Sequence, residues 1–587
     1  MIKLAVNQIF MVMKKIIFVT AGLLLFTFSC KDSKNETEIV AKSPPTSKYA
    51  CVPQITDAEW YKKDNVAPLL PGLDAVNYPI TTKDTLVQRY FNQGMTLAYG
   101  FNHAEAARSF YYASKLDPNC AMAFWGYAYV LGPNYNAGME DDNYQRAYEA
   151  IQKAKALSIN ATKKEQQFIA AMSLRYVAEP PEDRSQLDIV YSKAMKLLYK
   201  QYPDDTEISA LYAESIMNLH PWDLYDKEGI AKSWTPEITT LLETLIEKNP
   251  MHPGAHHFYI HAVEASNTPE RSNGSAKVFD DGLVSGVGHL LHMPSHTYIR
   301  TGEYHKGTLS NIAAVAADST YVTTCHAQGS YPLVYYPHNY HFMAATATLE
   351  GNSHWAMIGA NKVSEHVHPE IMKQPGWGAL QHYYTIPYYV AVKFKKWDDI
   401  LAMDLKTYDL KYPKAVRHYA EGMAYLGLNN LNKANAELSN LQVLTKDESI
   451  KDITIFEINT VYDLVLIAEK VLKSEILSNE KNYDESITLL KKAIVIEDAL
   501  NYTEPPDWFF SVRHHLGASQ IKAGLYNDAI ITYEEDLNRL PKNGWAHHGL
   551  MLAYENLNDS ENVSRMEKLI EKSWMDADFE IMGSKME

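Results

Sequence analysis

Histidine is the residue type with chemistry to offer here. Of 22 histidines, eleven fall between His252 and His341, nine of them in the runs HPGAHHFYIHAVE (252–264), GHLLHMPSHTYIR (288–300) and YYPHNYHF (335–342). His257, His261 and Glu264 are spaced four and three apart, which places two imidazoles and a carboxylate on one helical face. His289, His292 and His296 repeat that spacing, and His338 with His341 adds a further pair. Imidazole and carboxylate donors without cysteine suit Zn, Fe, Cu or Ni. An ion with an open coordination position would activate water. The order is not HExxH, because Glu264 follows the second histidine by three. Two other readings fit the same residues: a polar network of histidine and tyrosine, or a site for an anionic ligand assisted by Arg300.

Helices must carry these residues. Apolar periodicity near 3.6 begins close to Leu86 and never gives way to strand alternation. Residues 49–86 are irregular, broken by Pro53, Pro68, Pro71 and Pro79. Amphipathic stretches predict helices at 142–157, 185–202, 206–219 and 236–248, with Thr162-x-x-Glu165 as a capping box. In FNQGMTLAYGFNHAEAARSFYYASKLDP, small residues at Gly94 and Ala106 let two helices touch, Phe110 fills the space between them and Pro118 ends the second. Similar positions recur as Gly422, Tyr425 and Ala434, then as Gly517, Ala529, Tyr533 and Pro541, then as Trp545 and Gly549. On these residues the chain resembles tetratricopeptide repeat (TPR) proteins, and more specifically a subset of bacterial TPR proteins with a His-rich central segment. The resemblance implies an all-α fold, a TPR-type α-solenoid, over 87–557, with a His-rich centre at 252–382 and a polar capping helix at 558–587.

It also orients the histidines. Counted back from the turns at Asn267, Gly302, Gly351 and Lys395, His257, His261, His289, His292, His296, His338, His341 and His382 fall 6, 10 or 13 residues upstream. In TPR proteins those positions on the first helix of a repeat face the concave groove, where ligands bind. Glu264 shares the stripe, and the same indexing puts Trp125 and Tyr129 on the groove. Pro294 falls inside its helix and predicts a kink that re-aims His289 and His292 relative to His296. His103, His305 and His354 fall at the starts of second helices and read as surface or packing residues.

The chain begins with Lys14 and Lys15 ahead of the apolar run 16–28, followed by Ser29-Cys30. This pattern reads as a lipoprotein signal peptide over 1–29, with Cys30 the lipidated residue and 30–48 a flexible tether. A net charge of −16 argues against a nucleic-acid partner. The function expected from these features is a binding or scaffold component, lipid-anchored in the outer membrane of a Gram-negative envelope. It would hold a protein, peptide or glycan in a His-lined groove, and by analogy would serve a polysaccharide uptake or degradation system. The alternative is a metal-dependent hydrolase or oxidase whose metal site is the histidine–glutamate stripe.

Overall fold

The computed structural model describes residues 55–63 and 65–585; the signal segment, Cys30 and the tether lie outside the described residues. Among the described residues the fold is all-α. Twelve helix pairs follow one another from Thr85–Tyr99 with His103–Leu116 to Gly544–Asn556 with Ser560–Ser573. One two-stranded ribbon, Thr454–Ile455 against Asn459–Thr460, interrupts them.

The repeat residues explain the pairing. A Cβ at Gly94 would lie 2.6 Å from the Phe110 ring, and one at Gly126 would lie 2.4 Å from it. One aromatic ring therefore sits against two helices, each of which must be bare at the contact. Tyr533 does the same between Gly517 and Gly549, where a Cβ would approach to 2.3 and 2.2 Å. Thr162 and Glu165 form the reciprocal cap predicted for helix Lys163–Met172. Of the four turns used for indexing, Gly302, Gly351 and Lys395 have positive φ and Asn267 does not. The capping helix ends at Ser573. The residues after it fold back because Trp574 and Phe579 bury their rings against Trp545.

The superhelix closes on itself around its centre. From the amino-terminal side, Tyr321 donates to Asn102 Oδ1 at 3.1 Å and Arg108 donates to the Cys325 carbonyl at 2.9 Å. From the carboxy-terminal side, Tyr304 donates to the Pro541 carbonyl at 2.7 Å and the Trp545 indole to the Thr348 carbonyl at 3.0 Å. The inner faces of the middle repeats are thus covered by both ends of the solenoid. No helix of the described residues is long and apolar enough to cross a membrane.

Candidate metal centre

Helix Pro253–Val263 is buried on every side. Its sequence follows from that position: His252 caps it by accepting from the Ala255 N–H, and Gly254 leaves room for the Tyr99 ring. His256 shows what a packing histidine looks like here. Its Nδ1 meets Ser275 at 2.9 Å and its Nε2 meets the Pro250 carbonyl at 2.8 Å, so both nitrogens are satisfied.

His257 and His261 differ from it. His257 Nδ1 donates to the Tyr99 carbonyl at 2.5 Å, and His261 Nδ1 donates to Glu264 Oε1 at 2.9 Å. The Nε2 of each is buried with no partner, and neither nitrogen of His289 has one. These three residues form one cluster of convergent nitrogens. A bare buried polar atom costs about 1–3 kcal/mol. An outward Nδ1 fixed by a carbonyl or carboxylate, with Nε2 aimed inward, is the arrangement that metal-ligating histidines show.

A second cluster joins His292, His296 and His338. Asn311 donates its amide to the Gly307 carbonyl, so its oxygen faces His292 Nδ1 at 2.8 Å and takes that proton. His296 Nδ1 lies 2.7 Å from Glu264 and 2.9 Å from Glu504. The Nε2 atoms of His292 and His296 then face each other at 2.9 Å. Two lone pairs at that distance repel unless a positive charge serves both, either a proton held on His296 or a metal ion. Neighbouring ligands on an ion with ~2.1 Å bonds stand about this far apart. The two helical segments that present His292 and His296 meet at Met293, where Pro294 removes a hydrogen bond while the backbone stays helical. The helix is interrupted at Met293, directly ahead of the proline.

Burial is the largest influence on most of these rings, and neighbouring imidazoles add to it. His257, His289, His292 and His338 are held well below the usual imidazole value, neutral and with lone pairs available. His296 is the exception. Burial would lower it, but Glu264 and Glu504 outweigh that and raise it. Glu264 is lowered in turn: burial acts against ionisation, and His296 and His261 more than compensate.

The stripe is an interior wall and not an open groove face. Phe101 packs on His257, His261 and His289, with ring centroids 4.4, 6.0 and 5.7 Å away. Phe342 covers His292 and His296 at 4.7 and 4.5 Å. Beside the wall lies a cavity of about 570 Å³, bordered by His261, His289, His296 and His338 together with Tyr135, Trp222, Tyr383 and Phe456. His341 and His382 also border it, with rings 5.5 Å apart. They belong to neither cluster: each has a buried, unpartnered Nε2, with His382 Nδ1 engaged by Tyr412 at 2.9 Å and His341 stacked on Phe509, but no third ligand among the described residues lies within reach of either.

Three expectations need correction. Trp125 and Tyr129 are fully buried and line no groove, because the next repeats cover that face. Trp125 stacks on Phe168 at 4.6 Å and Tyr129 donates to Glu214 at 2.8 Å. Arg300 does not reach the histidines; it donates to the Ser266 carbonyl and lies over the Tyr502 ring. Sequence reasoning missed Glu504 and Asp507, both on the cavity wall. Asp507 is pushed up to about 7 by burial, against hydrogen bonds from Asn459 and Thr503. No periodic pattern marks this loop; its Glu-Pro-Pro-Asp run is the only local signal.

No family model matches the sequence, and no curated protein matches it. Among solved structures it is similar to the human IFIT1 dimer with m7Gppp-AAAA, at 13% identity over 85% of this chain and 92% of that one, with a TM-score of 0.31. Yeast Tom70 is similar at 12% identity over 85% of this chain and 98% of that one, also with a TM-score of 0.31. The APC/C hetero-tetramer Cut9–Hcn1 follows at 12% identity over 85% and 79%, with a TM-score of 0.28. The repeat contacts at Phe110 and Tyr533 and the succession of helix pairs among the described residues identify the chain as a TPR-type α-solenoid.

Proposed function

We propose that the protein is a metal-dependent enzyme whose centre is the buried histidine wall and whose substrate is a small molecule admitted to the adjoining cavity. The observation that carries this is the contrast between His256, with both nitrogens satisfied, and its neighbour His257, which with His261 presents a bare Nε2 behind an anchored Nδ1. A bound transition-metal ion supplies Lewis acidity or redox capacity that no side chain here has.

The chain's own residues do the rest. Glu264 anchors His261 and His296 from behind. Phe101 and Phe342 exclude water from the rings. Asp507, ionising near neutral pH on the cavity wall, is suited to proton transfer. Aromatic faces at Tyr135 and Trp222, with Asn136, Asn218 and Asp188 between them, suit a small polyhydroxylated substrate such as a glycan fragment. Lipid anchoring at Cys30 would place this chemistry at the cell envelope.

The test is the metal content of untagged protein after reconstitution with Zn²⁺, Cu²⁺, Fe²⁺ or Ni²⁺ in turn. At least one tightly held equivalent is expected, and it should be lost in His261→Ala/His296→Ala. Failure of every metal to remain bound after dialysis would end the metalloenzyme reading.

A further inference from the structure

Resting on that metal reading, we infer that the wall holds two transition-metal ions, one in each three-imidazole cluster. His257, His261 and His289 form one set and His292, His296 and His338 the other, and the sets share no residue. Each is a three-nitrogen site of the kind that leaves a coordination position open.

Position along the helices separates them. The midpoint between His292 and His296 lies five residues beyond His289, about 7 Å along a helix axis. The two sets therefore start from different levels of the helix axis, although one nitrogen of His261 and one of His296 lie within 4.8 Å of each other. The two sets are neighbours. Across the boundary, the rings of His261 and His296 are 5.2 Å apart and those of His289 and His292 are 5.5 Å apart.

Glu264 ties the sets together without dividing them. One of its oxygens accepts from His261 Nδ1 and the other lies 2.7 Å from His296 Nδ1, whose hydrogen bond goes to Glu504, so one carboxylate faces the outer nitrogen of a ligand from each set. Each set also contributes two residues to the same cavity: His261 and His289 from one, His296 and His338 from the other. A small molecule there can meet both ions. All-imidazole donors without thiolate favour copper or zinc over harder ions.

The test is saturation of metal-stripped, untagged protein with Zn²⁺ and, separately, Cu²⁺, followed by elemental analysis. Two equivalents per chain are expected in the natural sequence. One should remain in His257→Ala/His289→Ala and one in His292→Ala/His338→Ala, with circular dichroism confirming that each variant is folded. Saturation of the natural sequence at one equivalent overturns the two-ion inference and leaves the metalloenzyme reading standing, and this measurement needs no variant to fold. Loss of all metal on substituting either pair also overturns it. No binding at all removes the metal reading beneath it.

Discussion

His256 and His257 are adjacent, equally buried and opposite in meaning. One spends both nitrogens on protein partners; the other keeps one bare. Burial alone therefore does not mark a ligand; a bare nitrogen that converges with two others does. The same logic applies to the cavity's carboxyls. Asp507 has a free-chain value of 3.8 and a folded value of about 7, because burial disfavours its charge. Between those values the folded state binds more protons than the unfolded one. This group's effect on stability is therefore nil below about pH 4, turns unfavourable as pH rises towards 7, and levels off above. Asp507→Asn should leave stability nearly unchanged at pH 4 and raise it by ~4 kcal/mol at pH 8. Denaturant unfolding at the two pH values measures this, and an equal shift at both would show that Asp507 is not held protonated. The sequence makes His257, His261 and Glu264 visible because helical spacing is a local signal. Glu504 is invisible because it reaches His296 across 208 residues of chain.

At the scale of elements, the turns and helices were legible where the local chemistry is strong: the Thr162 cap, the bare glycines around Phe110 and Tyr533, and the break at Pro294. The second layer was not. Indexing places Trp125 and Tyr129 on an inner face, but whether that face meets solvent depends on which helices lie over it. Phe168 and Glu214, which cover it, belong to later repeats. The break at Pro294 has a consequence of its own. Without the proline, residue 294 could donate to the Leu290 carbonyl and the two short helices would merge. His289 would then turn relative to His296. Pro294→Ala is expected to fold with stability changed by about 1 kcal/mol or less. It should nevertheless weaken metal binding by about tenfold or more, as disturbed ligand orientation does. A metal titration beside a thermal melt separates the two effects, and unchanged affinity would mean that the break does not aim the ligands.

For the molecule as a whole, closure of the solenoid converts a groove into an interior. A repeat array read as a sequence suggests an open concave surface, because each pair shows only its nearest neighbours. The contacts of Asn102 with Tyr321 and of Pro541 with Tyr304 join segments more than 200 residues apart, and no repeat pattern announces them. On the reading proposed above, such a centre would work on what diffuses in, so where the protein is held would decide what it meets. The apolar run ending at Ser29-Cys30 and the polar stretch 31–48, with Pro44-Pro45, argue for a lipid on Cys30 and a tether of up to ~60 Å at ~3.3 Å per residue. No helix of the described residues is long and apolar enough to span a bilayer. Cys30→Ala is expected to move the protein from the detergent-extracted membrane fraction to the soluble fraction while its metal content stays the same. Retention of the variant in membranes would show that attachment does not run through Cys30. Loss of metal along with the membrane would show that the anchor and the buried centre are coupled, which the distance along the chain between Cys30 and His257 gives no reason to expect.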